Sequence, residues 1–373
     1  MNSVKTLSAD EKLDWLQLIR SENVGPVTFH HLIEKYGTAD RALDRIPELA
    51  EKGGAKRKIR IHSRKETKAE AEALINLGGE LITSIEPDYP PRLRQIYDPP
   101  PVISILGHKG LLQKHSIGIV GSRNASAVAR KLTETLSRDL GHANLVITSG
   151  LARGIDSAAH LAALETGTLA VVGGGVDIVY PKENQELYEQ IRDRGCIIAE
   201  QPLGTQPQAR HFPRRNRIIS GVSLGILVME AAPKSGSLIT ARMALEQGRE
   251  VFAIPGSPMD PRARGTNNLI RNGALLVESA EEILQEISHT LKSPVREPDS
   301  DLLPLFSTLR QEVEISDKAR DSISILLSHT PINTDDLIRQ SELPPSTVLT
   351  ILLELELAGR LERHFGNRVS LID

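Results

Sequence analysis

Four arginines, Arg210, Arg214, Arg215 and Arg217, fall within the stretch QPQARHFPRRNRIISG (206–221), with Phe212 and Asn216 among them. No Asp or Glu occurs between Glu200 and Glu230, so this charge has no acidic partner close in sequence. A guanidinium offers phosphate oxygens a planar fork, and a row of phosphates supplies several such partners. The ring of Phe212 adds a surface on which a base can stack. An unpaired strand exposes its bases for such stacking, whereas a duplex hides them. Each residue also has a plainer reading: Phe212 packs under a loop, and Arg217 pairs with an acid such as Glu230.

Glycine-bearing turns elsewhere point to the same chemistry. In SIGIVGSRNASAVARKLTETLSRDLG (116–141) a short apolar run meets glycine and then an amphipathic pattern. Gly118 and Gly121 do not complete G-x-G-x-x-G, and Asn124 stands at the third position, so a dinucleotide is not the expected ligand. Comparable turns are Gly121-Ser122-Arg123, Ser149 to Gly154 (with Gly150 and Arg153), Gly173-Gly174-Gly175, and Ala232 to Ser237 (with Lys234, Ser235, Gly236 and Ser237). Glycine lets backbone N–H groups approach an oxyanion, the following helix N-terminus adds partial positive charge, and serine hydroxyls donate to the same oxygens. Each turn alone reads equally as a tight connection; together, with Arg123, Arg153 and Lys234 among them, they read as a phosphate-binding edge.

Catalysis is not indicated. No G-x-S-x-G, HExxH or P-loop pattern occurs. His160 follows Asp156 by one helical turn, but Asp156 reads as a helix N-cap, and Asp177 as a residue that orders its loop. The reading is of a binding protein, with no metal and no cofactor.

These turns need a scaffold. The runs SIGIVG, NLVITSG, TLAVVGGG, CIIAE, LGILVME and EVFAIPG are apolar throughout and bounded by turn residues, as strands buried on both faces of a parallel sheet require. Between them lie helical patterns, such as the stripe Val128, Leu132, Leu136 and Leu140 closed by Gly141. The fold class is α/β: a doubly wound, mostly parallel sheet with ligands beyond the carboxyl ends of its strands. Residues 1–65 form a helical domain with a break at Gly25-Pro26. Residues 66–288 form the α/β domain, and residues 289–314, with three prolines, form a linker. Residues 315–373 carry three helical segments and a hairpin turning at Gly366-Asn367, the order of a winged helix.

Composition sets the limits. A net charge of −3 over 373 residues gives no global pull toward nucleic acid or membrane, so anion binding must come from local Arg and Lys. A single cysteine, Cys196, excludes an internal disulfide. With no signal-like or membrane-length apolar run, a cytoplasmic setting without membrane partners is expected.

The strings GIVGSR, SGLARGIDSAAH, GGGVDIVYPKEN, HFPRRNRIISG, VMEAAPKSGSLITARMALEQGREVFAIPG and GTNNLIRNGA together resemble the DNA processing protein A (DprA, or Smf) family over residues 80–288. The flanking segments resemble the same family's SAM-like or helix-hairpin-helix domain and winged helix. The resemblance implies a recombination mediator that binds and protects incoming single-stranded DNA during natural transformation, loads the RecA recombinase onto it, and forms homodimers through its Rossmann-like domain. It places the DNA pocket at Ser122 and Arg123, at Phe212 and the arginines around it, and at the Lys234 to Ser237 loop. The alternative is a nucleotide-binding or nucleotide-hydrolysing enzyme of a related Rossmann-like fold, although the P-G-G-x-G-T loop of such enzymes is absent. A transcription regulator is a further alternative. From Ile315 onward, however, acids outnumber Lys and Arg by nine to six, and PSTVLTILLELELAG carries Glu354 and Glu356 with no cation. That helix is poorly suited to lie among phosphates. The winged helix is expected to dock to protein, or to hold a weak DNA site through Arg363 and Arg368.

Overall fold

The computed structural model describes residues 6–292, 315–364 and 366–372. Their contacts divide into two compact units: residues 70–292, and residues 7–69 together with 315–372.

The described residues begin with α1 (Ala9–Arg20), α2 (Pro26–Tyr36), α3 (Ala39–Lys52) and α4 (Arg64–Asn76). Ser8 and Glu11 form a capping box that fixes the start of α1. Pro26, whose missing N–H costs nothing at a first helical position, starts α2. Asn23 takes a left-handed φ of 58° in the turn between the first two helices, a conformation that asparagine tolerates. Trp15 packs on Phe29 with ring centroids 4.8 Å apart.

Strands β1 (Glu80–Thr83), β2 (Val102–Gly107), β3 (Ser116–Val120), β4 (Val146–Ser149), β5 (Thr168–Val171), β6 (Cys196–Ala199), β7 (Gly225–Val228), β8 (Glu250–Ala253) and β9 (Leu275–Leu276) make one sheet. Its order is β1-β2-β6-β5-β4-β3-β7-β8-β9. The seven strands from β6 to β9 run parallel, and β1 and β2 extend the sheet antiparallel. Helices α5 (Ala127–His142), α6 (Ile155–Ala162), α7 (Gln185–Arg194), α8 (His211–Val222), α9 (Gly236–Glu246), α10 (Arg264–Arg271) and α11 (Ala280–Lys292) complete the unit. Residues 289–292 of the expected linker therefore belong to α11, and its remainder lies outside the described residues.

Alternation along the apolar strands feeds two cores. Val120, Val146, Ile226 and Val228 pack with Ile218 and Ile219 of α8. Ile117, Ile119, Ile147 and Leu227 pack with Leu136 and Leu140 of α5 and Ile155 of α6. Two-sided burial is why these runs are unbroken. In α5 the buried stripe is Ala129, Thr133, Leu136 and Leu140, while Val128 is 78% exposed; Gly141 is the penultimate residue of the helix, whose C-cap is Ala143. The chain passes outward from β3 through β4 and β5 to β6, then returns to set β7 against the other side of β3. That reversal opens a crevice beyond the strand ends.

The last segment holds α12 (Asp317–Leu326), β10 (Ile332–Asn333), α13 (Thr334–Ser341), α14 (Pro345–Leu357), β11 (Leu361–His364) and β12 (Arg368–Leu371). The three strands form a small antiparallel sheet, giving a winged helix. Ile351, Leu352 and Leu355 of α14 lie in its core, and α14 also packs on α3 of the same unit. A Cβ on Gly53 would stand 2.0 Å from the Glu354 carbonyl oxygen, so the close approach requires glycine there. Asn23 Nδ2 donates to the Leu357 carbonyl at 3.0 Å, and Arg360 donates to that of Gly53 at 3.2 Å. Glu354 and Glu356, expected to face outward, instead receive Arg320 and Arg363 at 2.8 Å each. Arg363 is thus committed within the unit and is not a free phosphate contact. The helix is unsuited to DNA for a different reason from its acidity: it is covered on two sides.

Candidate nucleic-acid interface

The arginine-rich stretch folds largely as α8, and helical geometry sorts its side chains. Arg210, just before the helix, and Arg214 are exposed and make no ion pair among the described residues. Arg215, Asn216 and Arg217 turn inward, at 7%, 8% and 4% exposure. Arg217 donates from Nη1 to the Asp98 carbonyl at 2.7 Å, its Nε lies 3.3 Å from Asp98 Oδ2, and Nη2 pairs with Glu200. Burial opposes its charge, but Glu200 and Asp98 more than offset this and hold the guanidinium protonated above the usual range. Arg217 is therefore a structural ion-pair residue and not a phosphate ligand. Its partners are also not the one expected. Glu230 instead accepts from Ser126 N at 3.0 Å and Ser126 Oγ at 2.7 Å, which ties the end of β7 to the start of α5.

Arg215 has the opposite character. Its guanidinium occupies the space above Gly150, where a Cβ would lie 1.4 Å from Nη1. Its Cζ stands 5.9 Å from the Phe212 ring centroid, and Arg123 Cζ stands 5.3 Å from the same ring. Tyr180 lies beside that ring at 5.8 Å. Arg123, Gly150, Gly174, Tyr180, Phe212 and Arg215 wall one cleft. Burial pulls the Arg215 pKa down to about 10, with Asp156 opposing that shift and Arg123 adding to it. Its Nε makes no hydrogen bond among the described residues. An unsatisfied buried donor costs about 1–3 kcal/mol, and a bound anion or an ordered water can supply the acceptor.

The loop after β4 uses its own carboxylate. Asp156 Oδ2 accepts from Gly150 N at 3.1 Å and Ala152 N at 3.2 Å. Gly150 thus contributes space for Arg215, and its amide is not offered to a ligand. Asp156 is the second residue of α6, whose N-cap is Gly154, so the N-cap expectation is corrected. Burial raises its pKa, against the pull of Arg215. His160 Nε2 receives the Leu151 N–H at 3.3 Å, and its Nδ1 lies 2.7 Å from Thr168 Oγ1, which itself donates to the Ile147 carbonyl at 2.8 Å. Those bonds assign the proton to Nδ1. Burial, and then Arg215, lower the His160 pKa to about 3. It is a neutral brace for the loop.

The remaining expected residues do not line this cleft and stand on the turns after β3, β4 and β7 and on α8. Gly121 packs against Ile155. Ser122 Oγ accepts from Asn124 N at 3.1 Å, and the Ser122 carbonyl accepts from Ile155 N at 3.3 Å, which joins the turns after β3 and β4. Arg153 pairs with Glu183. Lys234 is exposed at the turn before α9, Ser235 and Ser237 hydroxyls bond each other at 2.8 Å, and Asn216 Nδ2 donates to the Gly236 carbonyl at 3.4 Å. That last contact links α8 to the turn before α9. Tyr180, 46% exposed, was not singled out in the sequence reading; its only signal is an aromatic shortly after the triple glycine that follows β5. The arrangement offers guanidinium groups and aromatic faces at one rim. It can grip anions and stack planar groups.

Comparisons with known proteins are consistent along the chain. Residues 80–288 match the family model described as DNA recombination-mediator protein A, residues 9–73 the DprA-like N-terminal HHH domain, and residues 308–367 the DprA winged helix domain. The DNA processing protein DprA of Bacillus subtilis is 46% identical over 202 residues, covering 53% of this chain and 68% of that protein. The X-ray structure of DNA processing protein A from Streptococcus pneumoniae superposes with a TM-score of 0.62 at 35% identity, covering 76% of this chain and 99% of that one. A structure of DNA processing protein A from Helicobacter pylori, described for its single-stranded DNA binding mode, has a TM-score of 0.53 at 26% identity, with coverage of 57% and 96%.

Proposed function

Since the chain belongs to the DNA recombination-mediator protein A family, we propose that it binds single-stranded DNA at the rim formed by Arg123, Phe212 and Arg215. On this reading it acts as a recombination mediator, shielding the strand and delivering it to the RecA recombinase. The observation that carries the reading is the buried Arg215 guanidinium, 7% exposed and without a hydrogen bond at Nε, set under an aromatic ring at the mouth of the crevice. A phosphate oxygen satisfies that donor, and the ring takes a base. Arg210, Arg214, Lys234 and the Ser235 to Ser237 turn extend the cationic rim. Ser122 stands beside Arg123 on the turn after β3, where Gly121 makes room for Ile155 and, after β5, Gly174 makes room for the Thr205 carbonyl, and Asn216 sets the α8 side of the rim. A homodimer through the sheet unit and a cytoplasmic setting belong to the same reading.

Binding to a single-stranded oligonucleotide, to the duplex of the same sequence and to free nucleotides across a salt series tests it. Single strands should win. With about five cations engaged, the logarithm of the association constant should fall with the logarithm of salt at a slope of about −3.5. Free nucleotides should bind weakly and stay unchanged. Hydrolysis of a nucleotide would favour the enzyme alternative.

A further inference from the structure

Arg123 is shared between two clefts. On one side it faces Phe212; on the other it walls a second, open cleft with Asn124, Arg130, Arg153, Ser157 and Glu183. We infer that this second cleft is where the strand continues, seating the phosphodiester next to the one held at Arg215. The inference rests on the single-strand reading and names the path of that strand.

The cleft's charge supports a phosphate occupant. Three guanidinium groups face one carboxylate, an excess that suits a run of phosphodiesters, each with a single negative charge. Arg130 is exposed on α5 and makes no ion pair among the described residues. Arg153 engages both carboxylate oxygens of Glu183, with Nη2 donating to Oε2 at 2.7 Å. The two side chains are 60% and 51% exposed, so water screens the pair and it is readily exchanged. A phosphodiester presents two non-bridging oxygens with much the spacing of a carboxylate. Glu183 thus sits where a phosphate binds and competes with it. Ser157 Oγ is spent on the Ala152 carbonyl, and Asn184 Nδ2 on that of Leu151, so recognition falls to the arginines. A cleft without an aromatic platform holds backbone, not bases.

Three substitutions and two oligonucleotide lengths test this in the full-length protein. Oligothymidylates of about four and about twelve nucleotides bracket the reach of one site. Arg130→Glu should lower affinity for the longer strand about tenfold and shrink its salt slope by about 0.7, while leaving the short one within twofold. Glu183→Gln should strengthen binding of the longer strand severalfold. Phe212→Ala should weaken both. Equal effects of Arg130→Glu at both lengths, or none at either, overturn the second cleft while leaving the Phe212 result to support the first. Loss of inorganic phosphate binding without any change in length dependence also overturns it, since the cleft is then an isolated anion site. If Phe212→Ala changes neither length, the single-strand reading itself fails.

Discussion

Arg214 and Arg217 are three residues apart in one arginine cluster, yet the structure predicts different consequences for losing each. Arg217→Ala removes the guanidinium that serves Asp98 and Glu200. Its side chain is 4% exposed, and theirs are 29% and 14% exposed. Breaking one side of a buried ion pair leaves charge without compensation and costs about 3–5 kcal/mol. Asp98 already has a pKa raised by burial with Arg217 opposing the shift, so without the arginine it rises further and part of the cost is met by protonation. The sheet unit should therefore unfold roughly 6–20 °C lower, using about 2–4 °C per kcal/mol for a domain of this size. Arg214→Ala removes an exposed cation and should leave the transition within about 0.5 kcal/mol of the parent, while weakening single-strand binding. Calorimetry or urea denaturation reads the first effect, and oligonucleotide titration of the folded protein reads the second. A folded, equally stable Arg217→Ala protein that has lost DNA affinity would refute the assignment and return Arg217 to the binding rim.

Further outcomes can be checked in the same way. Tyr180→Ala should weaken oligonucleotide binding less than Phe212→Ala, by roughly 1 kcal/mol for a ring at the edge of the stack, with Tyr180→Phe close to the parent. The His160 pKa is depressed in the folded state to about 3, so the unfolded chain takes up the extra proton below about pH 6.5. Stability therefore falls as pH falls, by about 2 kcal/mol between pH 6.5 and pH 5 from this residue alone; His160→Gln should flatten that part of the urea-midpoint profile. Deleting residues 315–373 should spare most single-strand binding but uncover the α3 face that packs on α14, seen as dye binding or aggregation; loss of binding in a soluble truncated protein would contradict the division of labour.

The parallel sheet was legible because burial on both faces leaves an uninterrupted apolar run, a pattern few other elements share. The rim was legible as composition, in the glycine turns and the density of arginine, but not as geometry. Nothing local reveals that Arg217 turns inward, since one partner, Asp98, lies 119 residues away. Nor does it reveal that Asp156 consumes the amides of Gly150 and Ala152. The α14 segment carries a readable signal in its apolar residues on every side, as a helix covered on more than one face does. Tyr180 could be found only by seeing its ring beside Phe212, because Tyr180 lies on the loop after β5 and Phe212 in the first turn of α8.

Photo-crosslinking of a single-stranded oligonucleotide carrying 5-iododeoxyuridine, followed by identification of the attached peptide, tests the location of the grip most directly. The account predicts attachment at Phe212 or Tyr180, lost in Phe212→Ala and competed by unlabelled single strand but poorly by duplex. Attachment confined to the winged helix, unaffected by that substitution, would contradict it.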